Sequence, residues 1–297
     1  MLCFPNAKIN LGLRVISKRT DGYHNIETVF YPVNLCDALE IVPAGEGKTT
    51  LIQTGIPMDG NPDDNLVMKA CRLLKNDFDL PEVTIYLRKQ IPVGAGLGGG
   101  SADAAFMIKL LNDFARLNLS VEQMEAYAGR IGADCPFFIQ NRPVFAEGIG
   151  NVFSPVALSL HNYRIVTVKP PVSVSTKEAY AQVKPQQPAV PLKEVIRMPI
   201  GEWKNCLIND FEPGVFALYP EIAEIKRKLY AEGALYASMS GSGSTVYGIF
   251  ERATAPITLV GQIFSDTHCF NNGKNQYNSA LLFSENPLWA LLKMMSF

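Results

Sequence analysis

Residues 92–101 read Pro92-Val93-Gly94-Ala95-Gly96-Leu97-Gly98-Gly99-Gly100-Ser101, with five glycines between positions 94 and 100. A stretch this poor in Cβ atoms lets backbone N–H groups approach anionic oxygens without side-chain obstruction. On its N-terminal side, Val83, Ile85 and Leu87 alternate with Thr84, Tyr86 and Arg88, which predicts a strand that Pro92 ends. On its C-terminal side, Ala104, Met107, Ile108, Leu111 and Phe114 recur at helical spacing, with Ser101 or Asp103 as the expected cap. The loop therefore opens onto a helix N-terminus, whose positive dipole end completes a phosphate cradle. A glycine turn without a ligand is the plainer alternative, and the well-patterned helix behind it argues against that.

Several known phosphate loops do not fit. Gly94, Gly96 and Gly99 satisfy the dinucleotide pattern G-x-G-x-x-G, but polar Arg88-Lys89-Gln90 and Pro92 stand where an apolar strand should run straight into the first glycine. No Gly-Lys-Ser/Thr follows, and H-R-D and D-F-G are missing from the chain. Dehydrogenase, P-loop and protein-kinase readings all recede.

Working outward, Ile9, Leu11, Leu13 and Val15 alternate with Lys8, Asn10, Gly12 and Arg14, so a strand over 7–15 puts Lys8 and Asn10 on one polar face. Asp21-Gly22 marks the turn after it, with Tyr23 and His24 just beyond. Ser120 and Gln123 form a capping-box pattern for a helix expected to stop near Gly132, which leaves Ala133-Asp134-Cys135-Pro136 as a connector. Downstream come a strand over 163–168, a surface loop at Lys184-Pro185-Gln186-Gln187-Pro188-Ala189-Val190-Pro191, and a helix over 220–232. A strand pair should flank Ser240-Gly241-Ser242-Gly243-Ser244. Strands and helices mix in both halves, which predicts an α+β fold. The expected division is 1–158 for nucleotide and phosphate binding and 159–297 for substrate binding.

Of the 297 residues, 47% are hydrophobic and 19% charged, and the net charge is -1. No excess of Lys and Arg is available to neutralise a nucleic-acid backbone or an anionic membrane, so a small-molecule partner is expected. Charged or polar residues break every apolar run before the ~20 residues a membrane span needs, and the N-terminus lacks signal-peptide order, so a cytoplasmic location is expected. Six cysteines without a C-x-x-C pair read as reduced thiols, and three scattered histidines give no zinc spacing. The apolar segment 286–297 suits a packed terminal helix or an interface equally well, and the oligomeric state is not encoded in any pattern found here.

The loop at 92–101 resembles the P-x-x-x-G-L-G loop of the GHMP kinases. Pro5-Asn6-Ala7-Lys8-Ile9-Asn10-Leu11 is similar to that family's first motif, and Gly241-Ser242-Gly243-Ser244 to its third. Asp21-Gly22-Tyr23-His24, the extra glycine of the loop, Gly132-Ala133-Asp134-Cys135-Pro136-Phe137-Phe138 and Asn209-Asp210-Phe211-Glu212 resemble the branch whose acceptor carries a cytidine diphosphate group. The matches span roughly residues 5 to 250 in the right order.

The resemblance implies a two-lobed fold with the active site in the cleft between lobes. It also implies transfer of a phosphoryl group from ATP to the 2-hydroxyl of a cytidyl-bearing erythritol in non-mevalonate isoprenoid synthesis. Homoserine, mevalonate or sugar kinases of the same family are the nearest alternatives, and a non-catalytic nucleotide sensor on the same fold is a further one. Residue by residue, the resemblance makes Asp134 the general base and Lys8 its partner, offsetting charge on the phosphoryl oxygens. Pro92, Gly94, Ala95, Gly96, Leu97, Gly98, Gly99, Gly100 and Ser101 are expected at the phosphates, with Asn65 and Lys89 on the adenine side. Asn10, Tyr23, His24, Thr176, Tyr180, Gly241, Ser242 and Gly243 are expected at the acceptor, with Tyr23 and Tyr180 sandwiching the pyrimidine. Mg²⁺ should accompany ATP. Glycines stand at two positions where many family loops carry serine, so the metal is expected on phosphates and water, with Ser101 a further donor.

Overall fold

The computed structural model describes residues 1–45, 47–58 and 60–254, together with the backbone of 262–266. Segment 286–297, His268 and Cys269 lie outside the described residues. The first half runs β1 (Leu2–Cys3), β2 (Asn6–Lys18), β3 (His24–Cys36), β4 (Ala38–Pro43), β5 (Thr50–Gly55), α1 (Leu66–Lys75), β6 (Val83–Lys89), α2 (Gly99–Phe114), α3 (Val121–Gly129), α4 (Phe137–Gln140), β7 (Val144–Glu147) and β8 (Val152–Pro155). The second half runs β9 (Tyr163–Lys169), α5 (Thr176–Ala181), α6 (Leu192–Val195), α7 (Glu212–Leu218), α8 (Pro220–Ala231), β10 (Tyr236–Met239), β11 (Val246–Glu251) and β12 (Gln262–Asp266).

The strands form three four-stranded sheets, ordered β1-β4-β6-β5, β2-β3-β7-β8 and β10-β11-β9-β12. Among the described strand pairs only β5 and β6 are parallel, and α1 makes the crossover that a parallel pair requires. The fold is α+β. Strands of the first two sheets all precede residue 156, and those of the third all follow residue 162. The apolar clusters do not divide there: Ile9, Leu11 and Val29 pack in one cluster with Ile165, Trp203 and Tyr247.

Helix α2 packs against α1, α3 and α4. Met107, Ile108 and Leu111 are fully buried, each contributing about 1.5–3 kcal/mol relative to exposure. Its start differs from the expected one. Gly98, in the left-handed region at φ 69°, is the N-cap and supplies no side-chain bond, so Ser101 and Asp103 are already inside the helix and neither caps it. Asp103 is buried and committed to Lys89 instead. A helix start without a side-chain cap leaves its first amides for other oxygens. The capping box at Ser120 and Gln123 forms, and α3 ends at Gly129, three residues before the expected Gly132.

Strand β2 shows the expected alternation with a different solvent exposure. Lys8 and Asn10 share a face, but they are only 4% and 2% exposed. That face is covered by the glycine loop and by the Ser240–Ser244 turn: the Lys8 amide donates to the Leu97 carbonyl, and the Asn10 amide to Ser240 Oγ. Among the described residues no helix is long and apolar enough to cross a membrane.

Candidate active site

Strand β2 carries Lys8 beneath the loop. Its Nζ donates to Asn10 Oδ1 at 2.6 Å and to the Gly96 carbonyl at 3.3 Å, and lies 3.6 Å from Asp134 Oδ2. The Phe30 ring sits below, its centroid 4.9 Å from Nζ. Burial pulls the Lys8 pKa below its ordinary value, and the Asp134 carboxylate partly restores it. Asp134 is held in the connector between α3 and α4 with 35% of its side chain exposed, so a bound hydroxyl has access to it.

The loop is built for close approach to the core as much as to a ligand. An added Cβ at Gly96 would overlap the Ser240 carbonyl. One at Gly98 would stand 3.0 Å from the Phe138 ring and 3.2 Å from the Lys8 chain, so this glycine makes room for Lys8. Ala95 and Leu97 point inward and are buried, while Val93 and Gly94 face solvent. The Ser240 hydroxyl accepts from the Asn10 amide and donates to the Gly96 carbonyl at 2.8 Å, joining the third glycine motif to the loop. Asn10 Nδ2 in turn donates to Thr28 Oγ1. Sequence reasoning missed Ser240 and Thr28. The first was signalled by its place beside the glycine turn, whereas nothing local marked the second.

Lys89 is turned into the interior. It is 2% exposed, and its ammonium lies under Gly99, paired with both Asp37 and Asp103. Burial disfavours its charge, but the two carboxylates outweigh that and hold its pKa above the ordinary value. Burial pushes the Asp103 carboxyl up to about 8 despite the pull of Lys89. Asn65 caps α1, accepting from the Val67 amide, and lines a cavity of ≈ 310 Å³ with Gln53, Met58 and Pro62. A Cβ added at Gly100 would lie 3.5 Å from Cδ1 of the next residue, Leu66, so the start of α1 stands beside the glycine loop.

Burial pushes the Cys135 thiol up to about 11, against the opposing pull of the Ser101 hydroxyl. No group of three His, Cys, Asp or Glu side chains converges on a cation site among the described residues.

On the acceptor side the rings that meet are His24 and Tyr180, stacked at 4.7 Å with 19° between planes. Tyr23, one residue before the start of strand β3, is 62% exposed at the hairpin tip. Burial and nearby Lys18 lower the His24 pKa, which favours the neutral imidazole with one donor and one acceptor nitrogen. Thr176 Oγ1 and Ser242 Oγ lie 3.1 Å apart, and Gly241 offers its carbonyl to Asn209.

Residues 65–142 match the GHMP kinases N terminal domain, and residues 195–263 match the GHMP kinases C terminal region. The chain belongs to the GHMP kinase family of ATP-dependent phosphotransferases. It is 60% identical to a 4-diphosphocytidyl-2-C-methyl-D-erythritol kinase of Bacteroides fragilis over 84% of this chain and 92% of that relative. It is 58% identical to the kinase of the same name from Bacteroides thetaiotaomicron over 91% and 98%. A crystal structure of a 4-(cytidine 5'-diphospho)-2C-methyl-D-erythritol kinase superposes with a TM-score of 0.75 at 31% identity, covering 90% of this chain and 98% of that one. The Methanococcus jannaschii mevalonate kinase, at 12% identity and a TM-score of 0.67, shares the fold.

Proposed function

We propose that this kinase transfers the γ-phosphoryl group of ATP to the 2-hydroxyl of 4-diphosphocytidyl-2-C-methyl-D-erythritol, a step of non-mevalonate isoprenoid synthesis. The observation that carries the reading is the position of Lys8 Nζ, bonded to the Gly96 carbonyl of the loop on one side and 3.6 Å from Asp134 on the other. One cation thus joins the phosphate site to a carboxylate that can take a proton. The high identity to kinases named for this substrate supports the choice of acceptor.

In this scheme the backbone amides of residues 94–101 and the uncapped start of α2 hold the phosphates, and the cavity beside Asn65 receives the adenine. Asp134 accepts the proton of the acceptor hydroxyl as its oxygen bonds to the γ-phosphorus. The bond to the β,γ-bridging oxygen breaks, and ADP leaves. Lys8 offsets the charge spreading over the phosphoryl oxygens. The cytosine is received by His24 and Tyr180, with Tyr23 at the rim and Thr176, Ser242 and Asn10 toward the diphosphate. Mg²⁺ neutralises phosphate charge when bound. With no carboxylate cluster among the described residues, the metal would be held by phosphate oxygens and water, with the Ser101 hydroxyl as one neutral donor.

The test is kcat/KM for the cytidyl compound against homoserine, mevalonate and galactose at identical ATP and Mg²⁺. We expect the cytidyl compound to exceed the others by several orders of magnitude. If any of the three equals it, the acceptor assignment is wrong and only the family activity stands.

A further inference from the structure

Residues 209–212, Asn-Asp-Phe-Glu, touch neither the phosphate loop nor Asp134 through any hydrogen bond, yet three of the four side chains are nearly fully buried. Each reaches a different part of the site. Asn209 Nδ2 donates to the carbonyls of Met239 and Gly241 at 2.8 and 2.9 Å, holding the third glycine motif, while its Oδ1 accepts from the Phe211 amide. Asp210 accepts from the Val15 amide and from Arg14, and its own amide donates to the Leu13 carbonyl, which fixes the segment to strand β2. Phe211 meets the Tyr180 ring edge-on, with centroids 4.8 Å apart and planes at 85°.

Both ends of α5 depend on this segment. At its start Thr176 contacts Ser242, in the turn that Asn209 holds. Near its end Tyr180 is pinned between His24 on its face and Phe211 on its edge. A third tie runs from Tyr219, just past α7, to Glu178 at 3.0 Å. A six-residue helix has too few internal hydrogen bonds to hold itself, so its placement comes from these contacts. The strand that the segment grips is the one bearing Lys8 and Asn10.

We infer that Asn209 and Phe211 are positioning residues for acceptor recognition, fixing the Tyr180 face and the Thr176 end of α5 relative to the strand that carries Lys8. The inference rests on the proposed reading of His24 and Tyr180 as the wall that receives the cytosine. It separates two functions. The segment sets where the acceptor lies, and it leaves nucleotide binding to the loop above Lys89.

Steady-state kinetics of the full chain test this with Phe211→Leu, which keeps apolar bulk and removes the ring edge, and with Tyr219→Phe, which removes only the tie to Glu178. Phe211→Leu should raise KM for the cytidyl acceptor roughly 5- to 30-fold while KM for ATP stays within about twofold and kcat within about threefold. Tyr219→Phe should shift the same constant in the same direction by about two- to threefold. A purely structural role would instead loosen both substrates together. An unchanged acceptor KM in folded Phe211→Leu, or an equal rise for ATP, overturns the inference. Should Phe211→Leu fail to fold, Tyr219→Phe decides, and a wild-type acceptor KM in that variant overturns it. Wild-type enzyme that does not turn over the cytidyl compound is a separate outcome, which removes the functional reading and this inference with it.

Discussion

The two sides of the proposed site, one for phosphate and one for the acceptor, are built by different means. The phosphate side is one continuous run of backbone, residues 92–101, whose glycines let it lie against Ser240, Phe138 and Lys8. The acceptor side is assembled from side chains far apart in sequence, His24 on β3, Tyr180 on α5 and Phe211 before α7. Backbone recognition suits a ligand group common to all members of a family, and dispersed side chains suit the group that distinguishes them. The contrast predicts that substitutions on the first side damage the use of ATP whatever the acceptor, whereas those on the second damage one acceptor selectively.

The largest effect is expected where the two sides meet. Asp134→Asn should lower kcat by roughly 10²- to 10⁴-fold with nucleotide affinity kept, because it removes the proton acceptor and leaves the loop alone. Single-turnover rates beside calorimetric ATP titrations check this, and a near-normal kcat would remove Asp134 from the role.

Gly98→Val is the sharpest probe of the backbone side. Left-handed geometry at φ 69° is strained for any β-branched residue, and the added carbons would press on the Lys8 chain and the Phe138 ring. We expect weaker ATP binding together with a loss of kcat through Lys8, at least tenfold in kcat/KM for ATP by order of magnitude. Unchanged ATP affinity in a folded variant would break the comparison at its first term.

On the other side, Tyr180→Ala should raise acceptor KM by roughly 5- to 150-fold, the equivalent of one lost base stack, with ATP KM little changed. Tyr23→Ala should cost less than Tyr180→Ala, since Tyr23 is exposed and stacks on neither ring. The reverse ranking would show that the acceptor draws the hairpin tip over itself.

The smallest effect is a pH dependence shared by both sides. Burial depresses the Lys8 pKa, so the ammonium is lost at a pH below the ordinary lysine value of 10.5. The protonated form is the one that offsets phosphoryl charge, so kcat should fall as pH rises through that depressed pKa, about twofold at its midpoint. The same shift makes the native state bind this proton less tightly than the unfolded chain, so Lys8 opposes folding below its folded pKa and ceases to do so above 10.5. A kcat that stays flat up to pH 10.5 contradicts the role assigned to its charge.

The same contrast explains what was legible in the sequence. The strand at 83–89, the glycine loop and α2 are adjacent in the chain, so local periodicity and glycine spacing exposed them. Lys8 and Asn10 followed from strand alternation, though not their burial, because the covering segments 96–98 and 240–244 come from distant parts of the chain. The partners of Lys89, Asp37 and Asp103, lie 52 and 14 residues away, beyond the reach of any local pattern. The stacking of His24 on Tyr180 joins elements far apart in the chain, which no local pattern marks. Phe211 sits in a motif that was recognised, but its contact with Tyr180 is purely tertiary.

The burial of Cys135 has a practical consequence for chemical labelling. Its thiol adjoins Asp134, a natural place to aim an electrophile, yet burial holds its pKa near 11, so the reactive thiolate is scarce at neutral pH. Cys206, in contrast, is exposed. Brief iodoacetamide treatment of the native enzyme should therefore alkylate Cys206 and spare Cys135, as peptide mass mapping would show. Covalent ligands for this cleft would have to be anchored through some other nucleophile.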